Sequence, residues 1–262
     1  FLIVPISFYL TYLIYQIRLF KIRFKPRVVN LLIDFLDDLP NIQYLKYDPK
    51  KKISLEQFLQ SGLFVAEKPE VYKGEDFIQG AIGELRFELS ELLVREISPV
   101  RTQLDDVFQG IFLHAITRFP TKGNILMIPK EKHKYLNKPI LAFTQKHKGA
   151  RVDNMLDETF GKYFYIYASG EAIFQDPKTG QQKLHFFFPP ALQANLATYR
   201  EVTGKQLYAA FHKEHIYIAV VEDKDILEPY IFRSNVNYKL IRSFFEDILL
   251  LVLLVNRLDE TH

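Results

Sequence analysis

From Phe1 to Ile17 the chain carries no charged side chain, and then Arg18, Lys21, Arg23, Lys25 and Arg27 follow with no acid before Asp34. Few soluble cores tolerate an uncharged run of this length. At about 1.5 Å of rise per residue it makes a helix of roughly 25 Å, a little short of the apolar core of a bilayer. The run opens on a phenylalanine rather than an initiator methionine, so we read residues 1–20 as the C-terminal part of a transmembrane helix whose outer end is missing. The five bases form a collar facing the phospholipid head groups. A signal peptide has its bases before the apolar run, and here they come after it. The positive-inside rule therefore puts everything downstream in the cytoplasm. Tyr9, Tyr12 and Tyr15 suit interfacial anchoring. The competing reading is a buried helix of a soluble protein, with bases at its C-terminus where they complement the helix dipole.

Residues 21–74 read as collar plus helical neck. Pro26 can open a helix with an apolar face from Val28 to Leu39, stopped by Pro40. Tyr47–Ile53 is a polar break. Ser54 and Gln57 form a capping-box pattern ahead of a short helix over 55–61, with Gly62 as its stop. From 75 to 262 the period changes. Leu85, Phe87 and Leu89 alternate with polar residues as in a half-buried strand. Further strands are expected at 108–119, 124–128, 163–168 and 183–188, with a hairpin at 206–211 and 216–221. Pro190 opens a helix that Gly204 ends, and a long helix covers 238–258. Residues 129–150, rich in lysine and holding Pro129, Pro139 and Gly149, read as an exposed loop with a short strand at 140–143; a subdomain break is placed near 145–150. Short connections between many strands predict an antiparallel, sheet-rich α+β domain with packing helices. The run Ile248–Val255 is too short to span a bilayer and needs cover on all sides. Packing within the chain provides it, or a homo-oligomer interface through Ile248, Leu249, Leu251, Val252 and Val255.

The chain has no cysteine, which excludes disulfides, thiolate catalysis and cysteine-ligated metals. The net charge of +3 is concentrated in the collar, so no nucleic-acid partner is expected. His212-Lys-Glu-His215 is the nearest approach to a metal motif. A two-residue hairpin loop would set the two histidines opposite one another, but no third ligand is fixed by sequence, and a solvent-facing hairpin tip is the expectation. His114 reads as a satisfied strand or surface histidine, and His133 and His147 as parts of a solvated loop. The acid pairs Asp37-Asp38, Glu75-Asp76, Asp105-Asp106 and Asp157-Glu158 fall mostly at element ends. No nucleophile elbow, phosphate loop, dinucleotide fingerprint or zincin motif is present, so no cofactor is expected. The lysines at 130–148 read as solvated.

The segment Tyr72-Lys-Gly-Glu-Asp-Phe-Ile-Gln-Gly-Ala-Ile-Gly83, followed by Phe87 and Ser90-Glu91, resembles an uncharacterised bacterial membrane-anchored family of the domain-of-unknown-function class. The likeness runs through Ser61–Phe64, Phe108–Phe112, Phe160–Phe164, Phe187–Pro189, Ile216–Ala219 and Leu227–Pro229. It implies a two-helix membrane hairpin in the bacterial inner (cell) membrane with a cytoplasmic C-terminal domain. It also implies a LemA-like membrane protein as partner, because the two families are often encoded side by side. Asp176–Gln182 looks longer than the usual turn. No catalytic residue comes with the resemblance.

Together these readings predict a membrane-anchored interaction module that binds a protein or the membrane surface. The rival is a membrane-tethered, hydrolase-like enzyme. A pocket gathering three or more of His114, His212, His215, Asp105, Asp106 and Glu75 would favour the rival.

Overall fold

The computed structural model describes residues 3–38, 42–66, 69–98, 103–118, 120–131, 137–152, 157–178, 180, 182–184, 190–223, 242 and 245–249. The uncharged run and the expected neck helix are one continuous helix, α1 (Ile3–Asp37), with Pro26 inside it. Proline removes one backbone donor from a helix interior. The expected break at Pro26 is therefore a correction: the side chains on both sides of it are held by the fold. Val28, Val29, Ile33 and Leu36 of α1 are buried, whereas Ile3 to Tyr15 present large exposed apolar side chains. No 18-residue window over the apolar half is covered by protein, and α1 is the one described helix long and apolar enough to cross a membrane.

Seven residues of the expected neck form the edge of the sheet. Ile42 to Asp48, read as connection and polar break, contain strand β1 (Ile42–Asp48), which pairs with β2 (Val71–Ile82). Only Ile42 of β1 is buried, so the sequence lacks the alternation that announces a strand. The short helix α2 (Leu55–Gln60) stands where expected, with both arms of the Ser54/Gln57 capping box formed. Phe58 of α2 is fully buried, so this segment belongs to the domain core.

The remaining strands are β3 (Leu85–Ile97), β4 (Leu104–Ile116), β5 (Asn124–Pro129), β6 (Ala150–Arg151), β7 (Phe164–Ala168), β8 (Ile173–Gln175), β9 (Gln182–Leu184), β10 (Leu207–His212) and β11 (His215–Val221). Nine of the eleven described strands form one antiparallel sheet in the order β1-β2-β3-β4-β11-β10-β5-β7-β6, and β8 and β9 form a separate ribbon. The sheet passes unbroken from β5 to β7 and β6, across the position of the expected subdomain break. The α+β antiparallel class is as the sequence predicts.

Helices α4 (Glu158–Tyr163) and α5 (Pro190–Thr203) follow the sequence signals, and Asp157 caps α4 by accepting from the Thr159 and Phe160 amides. Residues 137–147 are a correction: the expected loop is helix α3 (Asn137–His147). Pro139 stands in its first turn, where an amide proton has no helical partner in any case. Phe143 is buried and Ile140 packs beside it, three residues apart on one face.

Strand alternation divides the interior into two cores. One holds Phe87, Leu89, Leu113, Ile216 and Ile218 under α1, α4 and α5; the other holds Phe112, Tyr208, Tyr217 and Leu126 under α2 and α3. Ile248 is buried in the first and Leu249 packs against it. Leu251, Val252 and Val255 lie outside the described residues, as does His133.

Candidate functional site

Two arrangements of charged and titratable side chains stand out, and the first concerns the collar. Arg18, Arg23 and Arg27 are exposed on α1; the side chain of Lys21 lies outside the described residues. Lys25 is the correction. Its side chain is buried, with Nζ 2.6 Å from Glu75 Oε1, 2.7 Å from Asp76 Oδ2 and 2.9 Å from Glu91 Oε2. Successive strand residues normally face opposite ways, but β2 bulges between Glu75 and Ile78, with Asp76 at φ 55°, so both acids reach the same ammonium. Tyr47 donates to Asp76 Oδ1 at 2.5 Å. Burial disfavours the Lys25 ammonium, but Asp76 and Glu91 overcome that and hold its pKa above the ordinary lysine value. Asp76 is nonetheless raised: its burial outweighs the help it receives from Lys25, which three carboxylates share. Glu75, Asp76 and Glu91 are, among the described residues, the group of three ligand-type side chains whose atoms lie within 4.8 Å of one another. The lysine ammonium already sits among them, so the cluster is a lock between α1 and the sheet.

The second arrangement begins with the capping box. Gln57 Oε1 accepts from the Ser54 amide at 3.1 Å, which turns its NH2 group inward. That group donates to Glu88 Oε2 at 3.0 Å and lies 3.2 Å from His114 Nδ1. Nδ1 of His114 is therefore the acceptor and Nε2 carries the proton, directed at His215 Nδ1, 2.9 Å away. His215 in turn holds its proton on Nε2, 3.6 Å from the Glu214 carboxylate. A helix cap thus fixes the tautomers of a relay that runs from the buried His114 to the mouth of a cleft. Tyr217 stacks on His114, with centroids 4.8 Å apart and planes at 14°.

The cleft has a volume of about 750 Å³ and opens between the exit of α2, helix α3 and the β10–β11 turn. Its polar wall is His147, His212, His215, Asn124 and Tyr217, with Lys146, Lys213 and Glu214 among its lining residues. The hairpin predicted from sequence pairs His212 with His215 across a two-residue loop. The tip is not simply solvated: His212 Nε2 lies 3.0 Å from the Ser61 carbonyl, and Nδ1 lies 2.9 Å from Asn124 Oδ1. His147 stacks on His212 at 5.5 Å. A smaller hollow of about 360 Å³ reaches His114 from the other side, past Gln57, Arg86 and Glu88.

Burial lowers the His114 pKa to about 4, helped by repulsion from His215. Burial also takes His212 to about 4, against the opposing bond to the Ser61 carbonyl. Burial lowers His147 as well. His114 and His212 are therefore neutral imidazoles near pH 7. The unfolded chain binds protons at these histidines below about pH 6.5 and the native chain does not, so their contribution is lost as pH falls from 6.5 toward 4. Each contributes a slope of about 1.4 kcal/mol per pH unit, and the raised Asp76 opposes them with the reverse sign. Urea midpoints measured across this range should fall with acidification, and His114→Gln should remove one proton's worth of slope.

Three of the residues named as markers of an enzyme, His114, His212 and His215, thus come together. Glu75 lies in the Lys25 lock, and Asp106 pairs with Arg95 at 2.5 Å on the surface. The sequence reading missed His147, Tyr217, Gln57 and Asn124. The spacing of Ile140, Phe143 and His147 is the signal for a helix carrying His147 on its buried side.

No curated protein and no solved structure matches the chain. A family model does match, over residues 106–260, a stretch containing all four clustered histidines but not α1 or the Tyr72–Gly83 motif. With more than half of its length covered, the chain belongs to the family described as protein of unknown function (DUF3137).

Proposed function

We propose that this protein is a membrane-anchored interaction module whose histidine-lined cleft receives a ligand or partner segment away from the bilayer. The observation that carries this reading is the position of the cleft. His215 is in register with Ile116, and Ile116 with Arg86, at the end of the sheet opposite the one that meets the Lys25 lock. Five residues of β3, from Arg86 to Glu91, separate the two levels, roughly 17 Å at strand rise. The exposed collar arginines support a cytoplasmic placement of the domain at a bacterial inner membrane. A LemA-like protein in the same membrane, or a second copy of this chain, is the partner we would test first.

A photo-crosslinking residue at Lys213, on the cleft, should trap a discrete adduct in native membranes, and one at Leu141, on the outer face of α3, should not. The adduct should disappear on Tyr217→Ala in a protein that still melts cooperatively. Adducts of equal yield from both positions, or from neither, would count against the reading.

The His114–His215 relay supports a second reading, a tethered acid–base enzyme acting on a substrate in the same cleft, with His215 presenting its Nε2 proton. Turnover of chromogenic esters or phosphodiesters by the full chain, lost in His215→Ala, would favour it. Turnover equal in both proteins would end it.

A further inference from the structure

We infer that the Ile97–Leu104 end of the β3–β4 pair is a second membrane contact, entering the bilayer interface beside α1; this rests on the reading of α1 as a membrane anchor. The polarity of α1 against the sheet is fixed at two points. Its C-terminal end at Asp37 is five residues before Ile42, which is in register with Ile82. Twelve residues earlier, Lys25 is bonded to Glu75 and Glu91, which are in register with one another toward the other end of β2 and β3. Toward the membrane, then, α1 and the β3–β4 hairpin run in the same direction.

From Lys25 back to Ile17, the last residue of the uncharged run, α1 rises about 12 Å. From Glu91 onward to Ile97, β3 rises about 20 Å. Even with the strand inclined by about 45° to the helix, through the twist normal to sheets, Ile97 reaches the level at which the apolar run begins. The residues found there suit that depth. Ile97 and Leu104 are a cross-strand pair, closed by the Ser98 amide donating to the Gln103 carbonyl at 2.8 Å. They are 48% and 49% exposed, unusual for paired aliphatic side chains at the end of a strand. The nearby acids are partly engaged: Glu70 accepts from the Ile97 amide and Asp106 pairs with Arg95. Glu96 and Asp105 are in register one step behind Ile97 and Leu104, so the contact is apolar and shallow and does not depend on anionic lipid.

The chain has no tryptophan, so a single introduced indole reports its own surroundings. Full-length protein carrying Leu104→Trp, reconstituted in phosphatidylcholine vesicles, should show blue-shifted emission and quenching by brominated acyl chains. Ile97→Trp should behave alike. Tyr9→Trp reports the anchor, and Leu141→Trp, exposed on α3 across the sheet, reports solvent. Quenching of Tyr9→Trp without quenching of Leu104→Trp or Ile97→Trp overturns the hairpin contact and leaves the anchor standing. An unquenched Tyr9→Trp removes the anchor, and the hairpin contact with it.

Discussion

Lys25→Met is expected to destabilise the domain by about 3–5 kcal/mol at neutral pH, the usual result of removing one partner from a buried ion pair. For a domain of this size that is a fall of roughly 6–20 °C in Tm, readable by circular dichroism on detergent-solubilised protein. The cause is what remains rather than what is lost: Asp76 and Glu91 stay buried, at 4% and 8% exposure, without the ammonium they share. The variant should therefore recover on acidification. In wild type, acidification from the raised folded value of Asp76 down to its ordinary range already favours the native state, and without Lys25 that window widens upward in pH. The deficit of Lys25→Met relative to wild type should shrink between pH 7.5 and pH 5. Asp76→Asn and Glu91→Gln in the Lys25→Met background should restore most of the stability, since uncharged neighbours no longer need the ammonium. If Lys25 merely faced head groups, as the collar reading had it, the single variant would leave Tm within about 1 °C.

Lys25 also shows where sequence reasoning stops. A lysine between two arginines on a basic stretch looks like its neighbours, because nothing local distinguishes it. Its partners lie 50 and 66 residues away on β2 and β3, and two of them are adjacent acids that only a bulge can turn to one side. The Ser54/Gln57 box, in contrast, was fully legible as a cap, since capping is a contact across three residues. What the sequence could not show was that the same glutamine orients His114. The β10–β11 hairpin was likewise legible with its His212–His215 pairing, but the solvated tip was not, because Ser61, Asn124 and His147 arrive from three other elements. Helix α3 was missed for a different reason. Lysine content and Pro139 suggested a loop, yet lysine is a good helix former and proline is tolerated in a first turn. The broad α+β class survived these misses because it depends on the number and alternation of strands, not on their exact ends.

Gly110→Ala should cost more than about 4 kcal/mol or prevent folding altogether, a loss confined to a short list of mechanisms. Gly110 sits in β4 at φ 145°, in register with Leu92 on one side and Val221 on the other. A Cβ there would lie 2.0 Å from the Val220 carbonyl oxygen and 2.9 Å from the Glu222 amide. Both are backbone atoms of the β11 segment beside it, so no rotamer change relieves the clash, and the strands must separate. Separation would break the Glu222 amide bond to the Gln109 carbonyl. It would also draw Glu222 away from Lys205, which bridges it to Asp247 with both contacts at 2.5 Å. Two other glycines set the scale. At Gly80 the added carbon meets the Leu45 side chain at 2.6 Å and the Phe87 ring at 3.2 Å, and the leucine can rotate. Gly80→Ala should therefore fall well short of Gly110→Ala. Gly161 lies within α4 with nothing inside 4 Å, so Gly161→Ala should raise stability by about 0.5–1 kcal/mol through helix propensity alone. Urea denaturation of the three variants tests the order. A Gly110→Ala protein no weaker than Gly80→Ala would mean that β4 and β11 do not approach as closely at this point as the clash requires.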